Sequence, residues 1–171
     1  EENGKMKTEA ASSPITIQQL ASHTSGLSYS FVPGPVGAMY IAEEMERGLG
    51  NVPSAGGEFF TEGTKPPFGN LREWTKALAE LPLVAQPGTV WNYSVGMDVL
   101  GALIEEVSGM TFGEFLEERI FSPLGMEDTG FIVPEEKLNR FAANYSPTPD
   151  NMMLMDDPEK SGYRTPPQLE S

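Results

Sequence analysis

Cysteine is missing from all 171 residues. That removes disulfides, thiolate metal sites and a cysteine nucleophile together. A single histidine, His23, leaves too few soft ligands for an ordinary zinc site. No run of about 18 apolar residues exists, which excludes a transmembrane helix. Positive charge is scarce: 11 Lys and Arg stand against 25 Asp and Glu, for a net charge of -14. A polyanionic surface repels phosphate backbones, which speaks against a nucleic-acid partner. The same surface gives no reason to expect docking on anionic membranes. No Gly-rich loop carries the Lys and hydroxyl of a phosphate cradle. No metal and no organic cofactor is expected.

The two ends are equally bare. Glu1-Glu2-Asn3-Gly4 has no initiator Met, no basic region and no apolar signal region. Pro166-Pro167-Gln168-Leu169-Glu170-Ser171 offers no closing helix or strand. Composition leaves them open as loose tails or as cuts through a longer protein. Localisation stays open with them, cytoplasmic or secreted, and oligomeric state leaves no trace.

What is present is ordinary for a globular domain: 39% hydrophobic and 21% charged residues, enough chain for one real core. Thr16-Ile17-Gln18-Gln19 forms a capping box ahead of Leu20 and Ala21, predicting a short helix ending near Ser22. A second helix is expected over 36–47, closed by Gly48 and Gly50. Residues 49–69 read as a long loop holding Phe59 and Phe60. Asn70 caps a third helix with Leu71, Trp74, Leu78 and Leu81 on one face. Gln86-Pro87-Gly88-Thr89 predicts a type II turn, followed by a strand-like run over Val90–Tyr93. The strongest helix signal covers 96–108, with Gly109 as its stop. Thr111 opens the next helix, its buried stripe Phe112, Phe115, Leu116 and Ile120, broken at Ser122–Gly125. A short strand over 129–133 and a helix over 134–143 complete the pattern, with loop from Ser146 onward. The reading is helix-rich, with two short strands and neither an internal repeat nor a linker.

Isolated chemical signals are weak. Asp156, Asp157 and Glu159 lack the spacing of a calcium loop and read as a solvated acidic turn. Asn92-Tyr93-Ser94-Val95-Gly96 nearly fits a nucleophile elbow, with Ser94 between a strand and a helix. That class places its acid and His after the Ser, whereas His23 precedes it. Ser94 as the N-cap of helix 96–108 is the plainer account. His23 is a candidate general base, although a structural hydrogen-bonding role suits its place at a helix end better. Met152, Met153, Leu154 and Met155 form an apolar cluster that either lines an entrance or plugs against the body.

Four segments, in order, resemble one family. Ile15–Leu27 (ITIQQLASHTSGL) is similar to the ITIRDLLSHTSGL block of the serine β-lactamase-like hydrolases. That superfamily includes class C β-lactamases, family VIII carboxylesterases and D-aminopeptidases. Pro87–Ser94 (PGTVWNYS) resembles its PGTxWxYS block, Leu100–Gly109 the helix that follows, and Pro123–Phe131 (PLGMEDTGF) its PLGMxDTxF block. The resemblance implies the β-lactamase/transpeptidase-like α/β fold. This chain holds mainly its helical portion with few short strands, as a partial domain over residues 1–171. The nucleophile motif and the C-terminal sheet motif are then expected outside it.

The resemblance also implies a mechanism. Members carry a Ser-x-x-Lys motif that supplies the acylated serine and its lysine. The Tyr of a Tyr-x-Asn motif stands over that serine as a proton shuttle. Tyr93 occupies the Tyr position, and the role suits a phenol whose proton affinity neighbouring ammonium groups lower. Without the family blocks, Tyr93 reads equally well as an aromatic anchor. Val95 occupies the third position, expected to face substrate; lacking the Asn amide, it resembles the esterase branch. No Ser or Thr here is followed three residues later by Lys, so the nucleophile is expected upstream of Glu1. The expected function is a serine hydrolase working through an acyl-enzyme, on short-chain or aromatic carboxylic esters. Its partner is then a small-molecule ester or amide substrate. A β-lactamase, a D-stereospecific peptidase and a non-catalytic interaction domain are the alternatives.

Overall fold

A computed structural model describes residues 6–43, 45, 68–161 and 164. Thr16 caps α1 (Ile17–Ala21) as a full capping box, its hydroxyl accepting from the Gln19 amide while the Gln19 side chain accepts from the Thr16 amide. The second helix, α2 (Pro35–Ala42), is shorter than its sequence pattern, ending at Glu43. Its expected stop at Gly48 and Gly50, and the loop holding Phe59 and Phe60, lie outside the described residues. Asn70 caps α3 (Leu71–Leu78) by accepting the Glu73 amide at 2.9 Å, and its buried face is Leu71, Trp74 and Leu78. The long helix α4 (Gly96–Ser108) runs to Gly109 and packs against α1, α3 and α5 (Phe112–Leu116).

The helical run ends at Gly125, the last residue of the expected break Ser122–Gly125. A π-helical turn over Glu117–Phe121 leads into α6 (Ser122–Leu124), and the chain stops at Gly125. Pro123 has no N–H to give and sits in the first turn of α6, where none is needed. The expected stripe is only partly buried: Phe112, Phe115 and Leu116 are half-buried, Phe112 against Gly101 of α4 and against Phe131, while Ile120 is exposed.

The strands are not where the sequence pattern places them. Val90–Tyr93 is extended but makes no ladder, its Asn92 amide reaching only the His23 carbonyl at 2.8 Å. Residues 129–133 form no strand, 130–132 being bends with Phe131 against Phe112, and 134–143 yields only a 3₁₀ turn, Glu135–Arg140. A β-hairpin forms instead where loop is expected. In it β1 (Asn144–Pro147) pairs antiparallel with β2 (Met152–Asp156), with an irregularity between Asn144 and Tyr145. Thr148 closes it by bonding Asn151 through both its amide and its hydroxyl. Met152, Met153 and Leu154 are therefore strand residues with exposed side chains, not a plug.

The core gathers Leu20, Leu27, Val36, Tyr40, Met45, Leu71, Trp74, Leu78 and Val95. Trp74 is fully buried and donates its indole N–H to the Met45 carbonyl, so its one polar atom is satisfied. Around this core the segment 23–28 is laced to 84–95. Val84 N–H donates to the Gly26 carbonyl (2.9 Å), Gly88 to Thr24 (2.7 Å) and Val95 to Ser28 (3.2 Å). The Asn92 side-chain amide adds a bond to the Leu27 carbonyl at 2.7 Å. Two residues make the lacing possible. Gly26, at φ +86, lies so close to Ala85 that a Cβ there overlaps the Ala85 carbonyl oxygen. Gly88, at φ +83, supplies the positive φ of the expected type II turn, with Thr89 N–H closing on the Gln86 carbonyl at 3.2 Å.

Candidate active site

The lacing brings His23 and the Asn92–Ser94 stretch together. His23 ends α1 in the left-handed region at φ 55, a conformation uncommon for any residue but glycine. Its ring lies 4.8 Å from that of Tyr93 and 6.1 Å from that of Trp91. Its Nδ1 accepts the Ser94 backbone N–H at 3.3 Å and is 3.3 Å from the Ser94 hydroxyl. A ring nitrogen that accepts an amide N–H carries no proton, so the neutral ring holds its proton on Nε2.

Ser94 and His23 thus touch, but the pair does not make a nucleophile and base. Ser94 is fully buried, and its Oγ also accepts the Gly96 N–H at 3.3 Å. Its work is capping: the helix boundary falls one residue later, at Val95, yet the hydroxyl still satisfies the first free amide of α4. The structural account of His23 holds in the same way.

Tyr93 is placed differently from both neighbours. Its side chain is 50% exposed while Ser94 and Val95 are buried, so the extended backbone turns the phenol outward. Val95 corrects the sequence reading: its side chain is 0% exposed and packs in the core, leaving it no surface to offer a substrate. The residue after the serine points inward because the backbone there is already turning into α4.

Tyr93 also belongs to a row of rings that sequence reading does not assemble. Trp91 leads to His23, His23 to Tyr93, Tyr93 to Tyr29 at 5.2 Å, and Tyr29 to Phe31, stacked at 4.9 Å and 16°. Trp91 and Phe31 are more than half exposed. The only clue in the sequence is that all five rings flank the HTSG and PGT segments. Among the described residues no group of His, Asp and Glu is placed to hold a metal ion. Asp156 ends β2 half-buried and accepts the Ser161 hydroxyl at 2.8 Å, and Asp157 accepts the Glu159 N–H at 3.0 Å, so only part of the expected solvated acidic turn is seen. No described helix is long and apolar enough to cross a membrane.

The family model described as Beta-lactamase matches residues 6–167, taking in every residue of this site. The chain belongs to the Beta-lactamase family. Similar proteins on the sequence level include Esterase EstB from Burkholderia gladioli, 35% identical over 131 residues, with 77% of this chain and 29% of that protein covered. Lovastatin esterase from Penicillium rubens is 34% identical over 139 residues, covering 79% and 29%. Among solved structures, EstCE1, described as a hydrolase with promiscuous acyltransferase activity, superposes with a TM-score of 0.64. It is 28% identical, over 84% of this chain and 33% of that one. The chain therefore spans about 29% of the length of these curated relatives. The β-lactamase/transpeptidase-like fold is shared, and the mostly helical chain with its two short strands corresponds to a part of it. Within that Beta-lactamase fold, the match takes in both laced segments and Tyr93.

Proposed function

We propose that this chain carries the tyrosine side of a serine hydrolase site that works through an acyl-enzyme on short-chain or aromatic carboxylic esters. The nucleophilic serine and its lysine then come from residues beyond these 171. The observation that carries the reading is Tyr93: a half-exposed phenol on a backbone tied down on both sides of it, between buried Ser94 and the His23-bound Asn92 amide. A proton relay needs that combination of access and fixed position.

The relay balances simply. With Tyr93 as the phenolate, the serine oxygen attacks the ester carbonyl and its proton passes to the Tyr93 oxygen, giving the phenol. The tetrahedral intermediate collapses, the C–O bond to the alcohol breaks, and Tyr93 returns the proton to the departing oxygen. Water then repeats the sequence on the acyl-enzyme. The exposed rings of Trp91 and Phe31 favour flat or short apolar ester groups beside Tyr93. The names of EstB, lovastatin esterase and EstCE1 agree with ester chemistry.

The test is Tyr93→Phe in the full-length protein, assayed on p-nitrophenyl acetate and benzoate. Turnover is expected to fall by about 10²–10⁴, the range of general acid–base groups. A loss below about threefold, with folding intact, removes Tyr93 from the mechanism, since even the weakest such group contributes far more.

A further inference from the structure

We infer that His23 is the positioning residue for Tyr93, acting as a hydrogen-bond acceptor and not as a base. The inference rests on the Tyr93 relay proposed above. His23 touches each of three consecutive residues through a different group. Its carbonyl accepts the Asn92 N–H at 2.8 Å, its ring lies 4.8 Å from the Tyr93 ring, and its Nδ1 accepts the Ser94 N–H at 3.3 Å. The residue that presents the phenol is thus held at the peptide before it, at its own ring and at the peptide after it. Among the described residues, Trp91, the neighbouring exposed ring, meets His23 only edge-on at 6.1 Å.

The backbone of His23 makes this grip possible. At φ 55 it leaves the helical direction of α1, so its carbonyl and its Nδ1 face the same stretch of chain. A left-handed conformation at a non-glycine residue is strained, and it persists only where surrounding contacts over-determine it. The contacts here are the three to residues 92–94, together with Gly88 N–H to the Thr24 carbonyl at 2.7 Å on the next peptide. The strain sits beside the reacting group, where a fixed phenol is worth most.

The acceptor can be separated from the ring. Asn carries its Oδ1 close to where His carries Nδ1 and adopts positive φ readily. Gln carries its amide one carbon further out, near the Nε2 position, and cannot reach the Ser94 N–H in the same way. His23→Asn, His23→Gln and Tyr93→Phe are made in the full-length protein, with steady-state kinetics on p-nitrophenyl acetate and thermal melting for each. His23→Gln is expected to lose about 10²-fold in kcat with KM little changed, as for a misplaced catalytic group. His23→Asn is expected to recover most of that loss. Equal kcat in the two His23 variants, whether high or low, overturns the inference while leaving the relay untouched if Tyr93→Phe is inactive. Loss of the folded state in both His23 variants shows that His23 serves stability alone and overturns it as well. An active Tyr93→Phe overturns the relay itself.

Discussion

Replacing Gly26 by Ala tests the lacing that holds the site together. Two costs add at this position. The backbone sits at φ +86, where an L side chain costs about 1–2 kcal/mol. The new Cβ also overlaps the Ala85 carbonyl oxygen and lies 3.2 Å from the Leu83 Cβ, so the 83–85 strand of chain has to retreat. Retreat stretches the Val84 N–H bond to the Gly26 carbonyl, now 2.9 Å, which contributes about 1 kcal/mol. Overpacking adds about 1–3 kcal/mol more. The total is about 4 kcal/mol.

Gly109→Ala is the matched control. Gly109 has a similar φ of +71, but nothing lies within 4 Å of where its Cβ goes. It pays only the backbone cost, about 1 kcal/mol. Urea unfolding of the full-length protein, followed by tryptophan fluorescence, reads the difference. At a slope of about 2 kcal/mol/M, the Gly26→Ala midpoint falls more than 1 M below that of Gly109→Ala, to about one significant figure. Midpoints that coincide refute the close approach of residues 26 and 85 as the reason for glycine.

Two exposed sites offer titration tests. The Thr111 hydroxyl, and next its backbone N–H, bond the Glu114 carboxylate and hold it below its ordinary value. A depressed carboxyl stabilises the fold above its unfolded value, and that help is lost as pH falls through the folded value. In Thr111→Ala the Glu114 resonance, followed by NMR, should titrate at higher pH than in the parent, and unchanged titration speaks against the capping box. Arg140 grips Asp128 with two bonds of 2.7 and 2.8 Å and Lys137 adds a third contact at 3.0 Å, which together hold the Asp128 carboxyl far below the usual range. Arg140→Gln should move its titration upward toward ordinary carboxylate behaviour, and added salt should do so in part, because the pair is exposed.

The parts of the fold legible in the sequence are those decided within a few residues. Thr16, Asn70 and Thr111 each cap a helix through a bond three positions away, and all three helices begin where those residues predict. Gly88 and Gly109 act as locally. What failed depended on partners distant in the chain. Val90–Tyr93 has the composition of a strand but finds only the His23 carbonyl to pair with. The hairpin 144–156 was hidden because unbranched methionines carry little strand signal, and Pro147 and Pro149 look like breakers. Pro147 is tolerated at the last position of an edge strand, where its missing N–H costs no ladder bond. For the site, the family resemblance singled out Tyr93, whose side chain is half-exposed. The same resemblance put Val95 beside it, and the turn into α4 sends that side chain inward. The His23–Ser94 bond spans 71 positions, beyond any local pattern.

The distribution of buried apolar residues has a consequence for how the molecule opens. Every fully buried hydrophobic side chain among the described residues lies between Leu20 and Val95. From α5 to the hairpin, the described helices and strands bury none. Local opening requires the least free energy where the least apolar surface is shielded, so amide hydrogens beyond Gly109 exchange first and those around Trp74 last. Asn92 and Ser94 give their amides to His23 inside the slow half. Fluctuations that unzip the outer third of the chain therefore leave the two amides that flank Tyr93 bonded to His23.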